Sequence, residues 1–164
     1  MKRIAFIDTE TSEKPKQIKD IGAIKDTGDE FHSNHILNFK HFIKDVKYLC
    51  GHNIIEHDLK YLSKYIDFNY FKIIDTLYWS PLLFPARPYH SLLKDDKLQT
   101  EELNNPLNDA IKARDLFFDE VEKFNNLDNG LKQIYFRLLH KSKYFKDFFI
   151  LLIIIQTLKQ NLNI

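Results

Sequence analysis

The chain has 164 residues, 44% of them hydrophobic, with 24 Lys and Arg against 23 Asp and Glu, a net charge of +1 and a single cysteine, Cys50. That length and composition suit one folded domain with a real core and exclude a disordered segment. The charge balance excludes a global pull toward nucleic acid or membrane, so any such affinity is local, and one cysteine excludes an intramolecular disulfide framework and fits a reducing cytoplasm.

In chain order, the apolar run at residues 3–7 reads as a central strand that breaks at Asp8, so no signal peptide is expected. Residues 18–25 alternate and read as a second strand, followed by the turn signal "DTGDE" and a short edge strand in "FHSNH". Ile36, Phe39, Ile43 and Val46 recur at helical spacing, and "YLCGHN" reads as a strand running into a turn at Gly51. Asn53, with Glu56 three residues on, has the form of a capping box that starts a helix carrying Leu59, Leu62 and Ile66 on one face.

Further on, "FKIIDTLYW" reads as a strand, and Pro81, Pro85 and Pro88 punctuate a loop after it. Asn105 as cap and Pro106 at the first helical position start a long helix with Ala110, Ala113, Phe117, Val121 and Phe124 on its core face. The pattern is α/β with a mixed sheet flanked by helices. Residues 1–126 read as the main domain and 127–164 as a helical C-terminal extension. The apolar run Phe148–Ile155 is far shorter than the roughly 20 residues of a membrane span. It is expected to pack on the domain, form a dimer contact or meet a neighbouring domain.

Four acids carry the chemistry. Asp8 and Glu10 in "IAFIDTETS" point to one side of a strand, at the end where ligands bind in open α/β sheets. Such a pair needs a cation or a proton. Asp58 in "GHNIIEHDLKYL" and Asp109 in "NDAIKARDLF" both fall near helix starts. Each acid alone has an ordinary explanation, a solvated strand edge or a favourable helix dipole.

As an ordered set these motifs resemble those of the DEDD, or DnaQ-like, family of 3′–5′ exonucleases, over about residues 3–124. The segment "PYHSLLKDDKL…ELNNPLNDA" further resembles exonuclease domains joined to RecQ-like helicases. The resemblance implies a ribonuclease-H-like fold with a five-stranded mixed sheet. It implies two Mg²⁺ or Mn²⁺ ions held by Asp8, Glu10, Asp58 and Asp109, and hydrolysis of phosphodiesters from single-stranded 3′ ends of DNA or RNA. It places Thr9, Thr11, His52, Asn53 and Asn104 near the substrate.

The family's general base is a His five residues before the last Asp or a Tyr four before; here those positions hold Asn104 and Asn105. Asparagine accepts no proton at neutral pH. His90 is the first candidate substitute and His57 the second, while Arg87, Tyr89, Lys94 and Lys97 offer cationic and aromatic contacts for a strand. Asp75 in "IIDT" reads as structural. The alternative expectation is a catalytically weak or inactive nucleic-acid-binding module of a larger helicase-like protein.

Overall fold

The computed structural model describes residues 3–12, 17–92 and 105–161. Among them, strands β1 (Ile4–Thr11), β2 (Ile18–Lys25), β3 (Glu30–His32), β4 (Tyr48–Gly51) and β5 (Lys72–Asp75) form one sheet ordered β3-β2-β1-β4-β5. β1–β2 and β2–β3 are antiparallel, while β1–β4 and β4–β5 are parallel. The helices are α1 (Ile36–Ile43), α2 (Asp58–Leu62), α3 (Thr76–Leu83), α4 (Pro106–Asn125), α5 (Asn129–Leu139) and α6 (Lys146–Asn161). This is α/β architecture with a mixed five-stranded sheet flanked by helices, in a ribonuclease-H-like arrangement.

Strand alternation sorts the apolar side chains onto two faces. Ile4, Phe6, Ile24, Cys50 and Ile74 pack with Phe117 and Phe124 of α4, Trp79 of α3 and Phe148 of α6. Ala5, Ile7, Ile21, Ala23 and Leu49 pack on the other face with Phe39 and Ile43 of α1 and Leu62 of α2. A strand buried on both faces reads as a continuous apolar run, which is why "IAFI" does not alternate.

Two expected elements are corrected. The strand expected over "FKIIDTLYW" stops at Asp75, whose carboxylate accepts the Leu77 N–H at 3.0 Å and starts α3. A capping acid thus converts the second half of that run to helix. Trp79 becomes a helical core residue stacked on Phe148 at 4.2 Å, and Pro81 lies inside α3 rather than in the following loop. Asn53 is not a helix cap: it has φ +64°, and its own N–H donates to Asp75 Oδ1 at 2.8 Å. The helix begins only at Asp58, and Glu56 pairs with Lys60 at 2.9 Å instead of closing a capping box.

The start of α4 is as expected, with the Leu107 N–H donating to the Asn105 side chain at 3.0 Å. Val121 is only partly buried, whereas Glu120 beside it has both carboxylate oxygens buried and unpartnered, so burial pushes its carboxyl well above the usual range.

The apolar tail packs on the domain. Phe148, Phe149, Leu151 and Leu152 are buried, each such side chain contributing roughly 1.5–3 kcal/mol. Asp147, at the start of α6, accepts the Ile73 N–H at 2.9 Å. β5 is an edge strand, so this contact covers a backbone group that the sheet leaves unpaired. Among the described residues no helix is long and apolar enough to cross a membrane.

Candidate metal centre

β1 runs on through both acids, pairing with β2 as far as Thr11 opposite Ile18. Asp8 and Glu10 therefore lie within the strand rather than beyond its end. They share the parity of Ile4 and Phe6 and so face α4. Asp109 stands in the first turn of that helix. One carboxylate oxygen from each of Asp8, Glu10 and Asp109 lies within 4.8 Å of the others, and all three residues are partly exposed.

The helix reaches β1 because of Gly22. This residue sits opposite Asp8 in the β1–β2 ladder. A Cβ there would stand 2.0 Å from the Leu107 nitrogen and 2.1 Å from the Pro106 carbonyl carbon. Only glycine lets the α4 backbone lie this close to the sheet.

Asp58 arrives from the opposite face. It is 1% exposed, and its Oδ1 accepts both the Thr9 N–H and the Thr9 hydroxyl, each at 2.7 Å. His57 Nδ1 lies 3.6 Å from the same oxygen. The two faces meet electrostatically at Asp8, whose pKa is raised from 3.8 to about 8. Burial contributes most, followed by the charges of Asp58, Asp109 and Glu10, with His57 opposing them.

Among the described residues, two groups that can carry positive charge adjoin these acids. Lys112 Nζ is 3.7 Å from Asp109 Oδ1, and Asp58 beside His57 raises that imidazole above its ordinary value. A clustered carboxylate set of this kind takes up a proton or a cation. Its donors are all hard oxygens, and Asp8, Glu10 and Asp109 are partly exposed, so the set could hold a hard divalent cation.

The remaining expected site residues fall in different places. Thr9 is 2% exposed, with both donors committed to Asp58. Thr11 ends β1 at an irregular register step after Glu10 and is partly exposed. His52 Nδ1 is hydrogen-bonded with Thr76 Oγ1 at 2.9 Å, and burial lowers its pKa to about 4, so the ring is neutral. His90 bonds through Nδ1 to Ser80 Oγ at 2.9 Å. Among the described residues no hydrogen bond or ion pair joins it to the four acids, whereas His57 lies beside them. Asn104, Lys94 and Lys97 lie outside the described residues.

Asp75 is structural in its contacts, accepting N–H groups from Asn53, Ile55 and Leu77. Sequence reasoning missed Gly22 and Lys112. A lone glycine inside a strand pattern signals a close backbone approach, and Lys112 stands three residues after Asp109 on one helix face. No protein-family model, no curated protein and no solved structure matches the chain.

Proposed function

We propose that this chain is a metal-dependent 3′–5′ exonuclease acting in the cytoplasm on single-stranded ends of DNA or RNA. One observation carries the reading: carboxylate oxygens of Asp8, Glu10 and Asp109 converge within 4.8 Å beside a fourth acid, Asp58, whose charge reaches Asp8. Asp8, Glu10 and Asp109 would hold one divalent ion, and Asp8 with Asp58 a second. When bound, the ions would supply an activated water and stabilise negative charge on the leaving 3′ oxygen.

The chain's own residues do the rest. Glu10 and the backbone near Thr11, at the end of β1, orient a terminal 3′-hydroxyl, which restricts attack to strand ends. Lys112 steadies Asp109 from the α4 side. General-base assistance is typically worth about 10²–10⁴-fold in rate, and Asn104 cannot give it. Slow turnover is therefore expected. Asn104 also favours the second reading, a nucleic-acid-binding module of a helicase-like assembly that holds the fold and has lost catalysis.

The test uses single-stranded DNA and RNA labelled at the 5′ or the 3′ end, incubated with Mg²⁺ or Mn²⁺. The expected result is a ladder from the 5′-labelled strand, early release of label from the 3′-labelled one, and neither with Asp8→Ala. Tight binding without cleavage in either metal would leave the binding-module reading in its place.

A further inference from the structure

We infer that Thr9 is a positioning residue for the metal centre, its hydroxyl and backbone N–H together locking the Asp58 carboxylate in the orientation that the centre uses. The inference rests on the metal-site reading above and adds a residue to it. Thr9 stands between Asp8 and Glu10 in sequence but points to the opposite face of the sheet, where Asp58 lies. It therefore links the acid that comes from α2 to the strand that carries the other two.

Three observations single out this link. First, the Thr9 side chain is buried in an otherwise apolar face formed by Ala5, Ile7, Ile21 and Ile54. A hydroxyl there is costly unless it is hydrogen-bonded, and its bond goes to Asp58. Second, its own helix gives Asp58 little support beyond His57, whose Nδ1 lies 3.6 Å from the same oxygen. α2 has five residues, and its N-cap, His57, makes no side-chain capping bond, so the helix is too short to fix a side chain by itself.

Third, both Thr9 donors fall on one oxygen, Oδ1, at 2.7 Å. Two short charge-assisted bonds hold that oxygen in place and leave Oδ2 uncommitted to Thr9. Partners that orient a metal ligand typically change metal affinity about 10–100-fold when removed.

The experiment is a Mn²⁺ titration of the full chain, followed by calorimetry or by the electron paramagnetic resonance signal of free Mn²⁺, with circular dichroism to verify folding. Thr9→Val keeps the shape and the backbone donor but removes the hydroxyl; Thr9→Ser keeps the hydroxyl. Thr9→Val is expected to weaken Mn²⁺ binding about tenfold, and Thr9→Ser to leave it near that of the natural chain. In an Asp58→Ala background, Thr9→Val is expected to change nothing further.

Unchanged affinity in a folded Thr9→Val, or an equal loss in Thr9→Ser, overturns the positioning role. So does a loss in Thr9→Val that persists without Asp58. Should Thr9→Val not fold, weakened binding by a folded Thr9→Ser overturns the role, and natural affinity supports it. The metal reading fails separately, and the inference with it, if the natural chain binds no Mn²⁺ or if Asp8→Ala binds it unchanged.

Discussion

Gly22→Ala is expected to lower the melting temperature by about 5–10 °C and to abolish most of the response to Mn²⁺. The methyl group would enter the space of the α4 backbone, 2.0 Å from the Leu107 nitrogen, where ordinary contact needs well over 3 Å. Backbone cannot swing aside as a flexible side-chain tip can, so β2 and α4 must separate. Overpacking of this kind costs about 1–3 kcal/mol or more. For a chain of this size each kcal/mol lowers the melting temperature by about 2–4 °C.

The functional consequence follows from what α4 carries. Asp109 lies in the turn that would move, and Gly22 faces Asp8 across the ladder. A displacement of about 1 Å in a catalytic constellation can cost on the order of 10²-fold in rate. Gly130→Ala serves as the control, because its Cβ meets only the Asp128 carboxylate, at 3.1 Å. Thermal melts with and without Mn²⁺ check both variants. A Gly22→Ala chain that melts and binds metal as the natural one does would contradict the packing argument.

The second large effect is a pH dependence that metal reverses. The Asp8 pKa is raised from 3.8 to about 8, with burial the main cause and the neighbouring acids adding to it. Between those values the folded chain holds a proton that the unfolded chain has released. Stability from this group is therefore complete below about pH 4 and is lost as pH rises through about 8. Each pKa unit corresponds to about 1.4 kcal/mol, so the loss is on the order of a few kcal/mol.

On the proposed reading a divalent ion would take the place of that proton. Mg²⁺ or Mn²⁺ is expected to raise the melting temperature little at pH 5.5 and by several degrees at pH 8.5. Asp75, raised to about 6 by burial, and Glu120 lose stability in the same direction. The comparison is thus made against Asp8→Asn, which is expected to flatten the curve and to remove the metal response. An equal metal effect at both pH values would contradict it.

The parts of this architecture that were legible in the sequence are those set by neighbouring residues. The run "IAFI" buries both its faces, and Asn105-Pro106 starts α4 through a cap two residues from its partner. β2 spans Ile18 to Lys25 as expected, but from Ile21 on every residue is buried, so its second half does not alternate. The misread parts depend on residues far apart. Asn53 has the composition of a cap, but Asp75, 22 residues later, draws its N–H into a left-handed turn. The same Asp75 ends β5 and starts α3, so "TLYW", with its aromatic strand-like composition, becomes helix.

The site divides in the same way. Asp8 and Glu10 were legible as a same-side pair because strand parity alone decides it. The family resemblance places Thr9 near the substrate, whereas the structure turns its side chain toward Asp58, 49 residues on. His90 was preferred to His57 as the substitute base from its loop position, yet its ring is held by Ser80, while His57 adjoins the acids. Gly22 lacks any side chain to announce its role, and its importance appears only once α4 lies against β2.

The most direct measurement is an anomalous difference map from crystals grown with Mn²⁺, recorded near the manganese edge. Density is expected among Asp8, Glu10 and Asp109, with Asp58 still bonded to Thr9 at its edge. Manganese absent from this cluster in well-ordered crystals, with the three carboxylates turned apart, would contradict it.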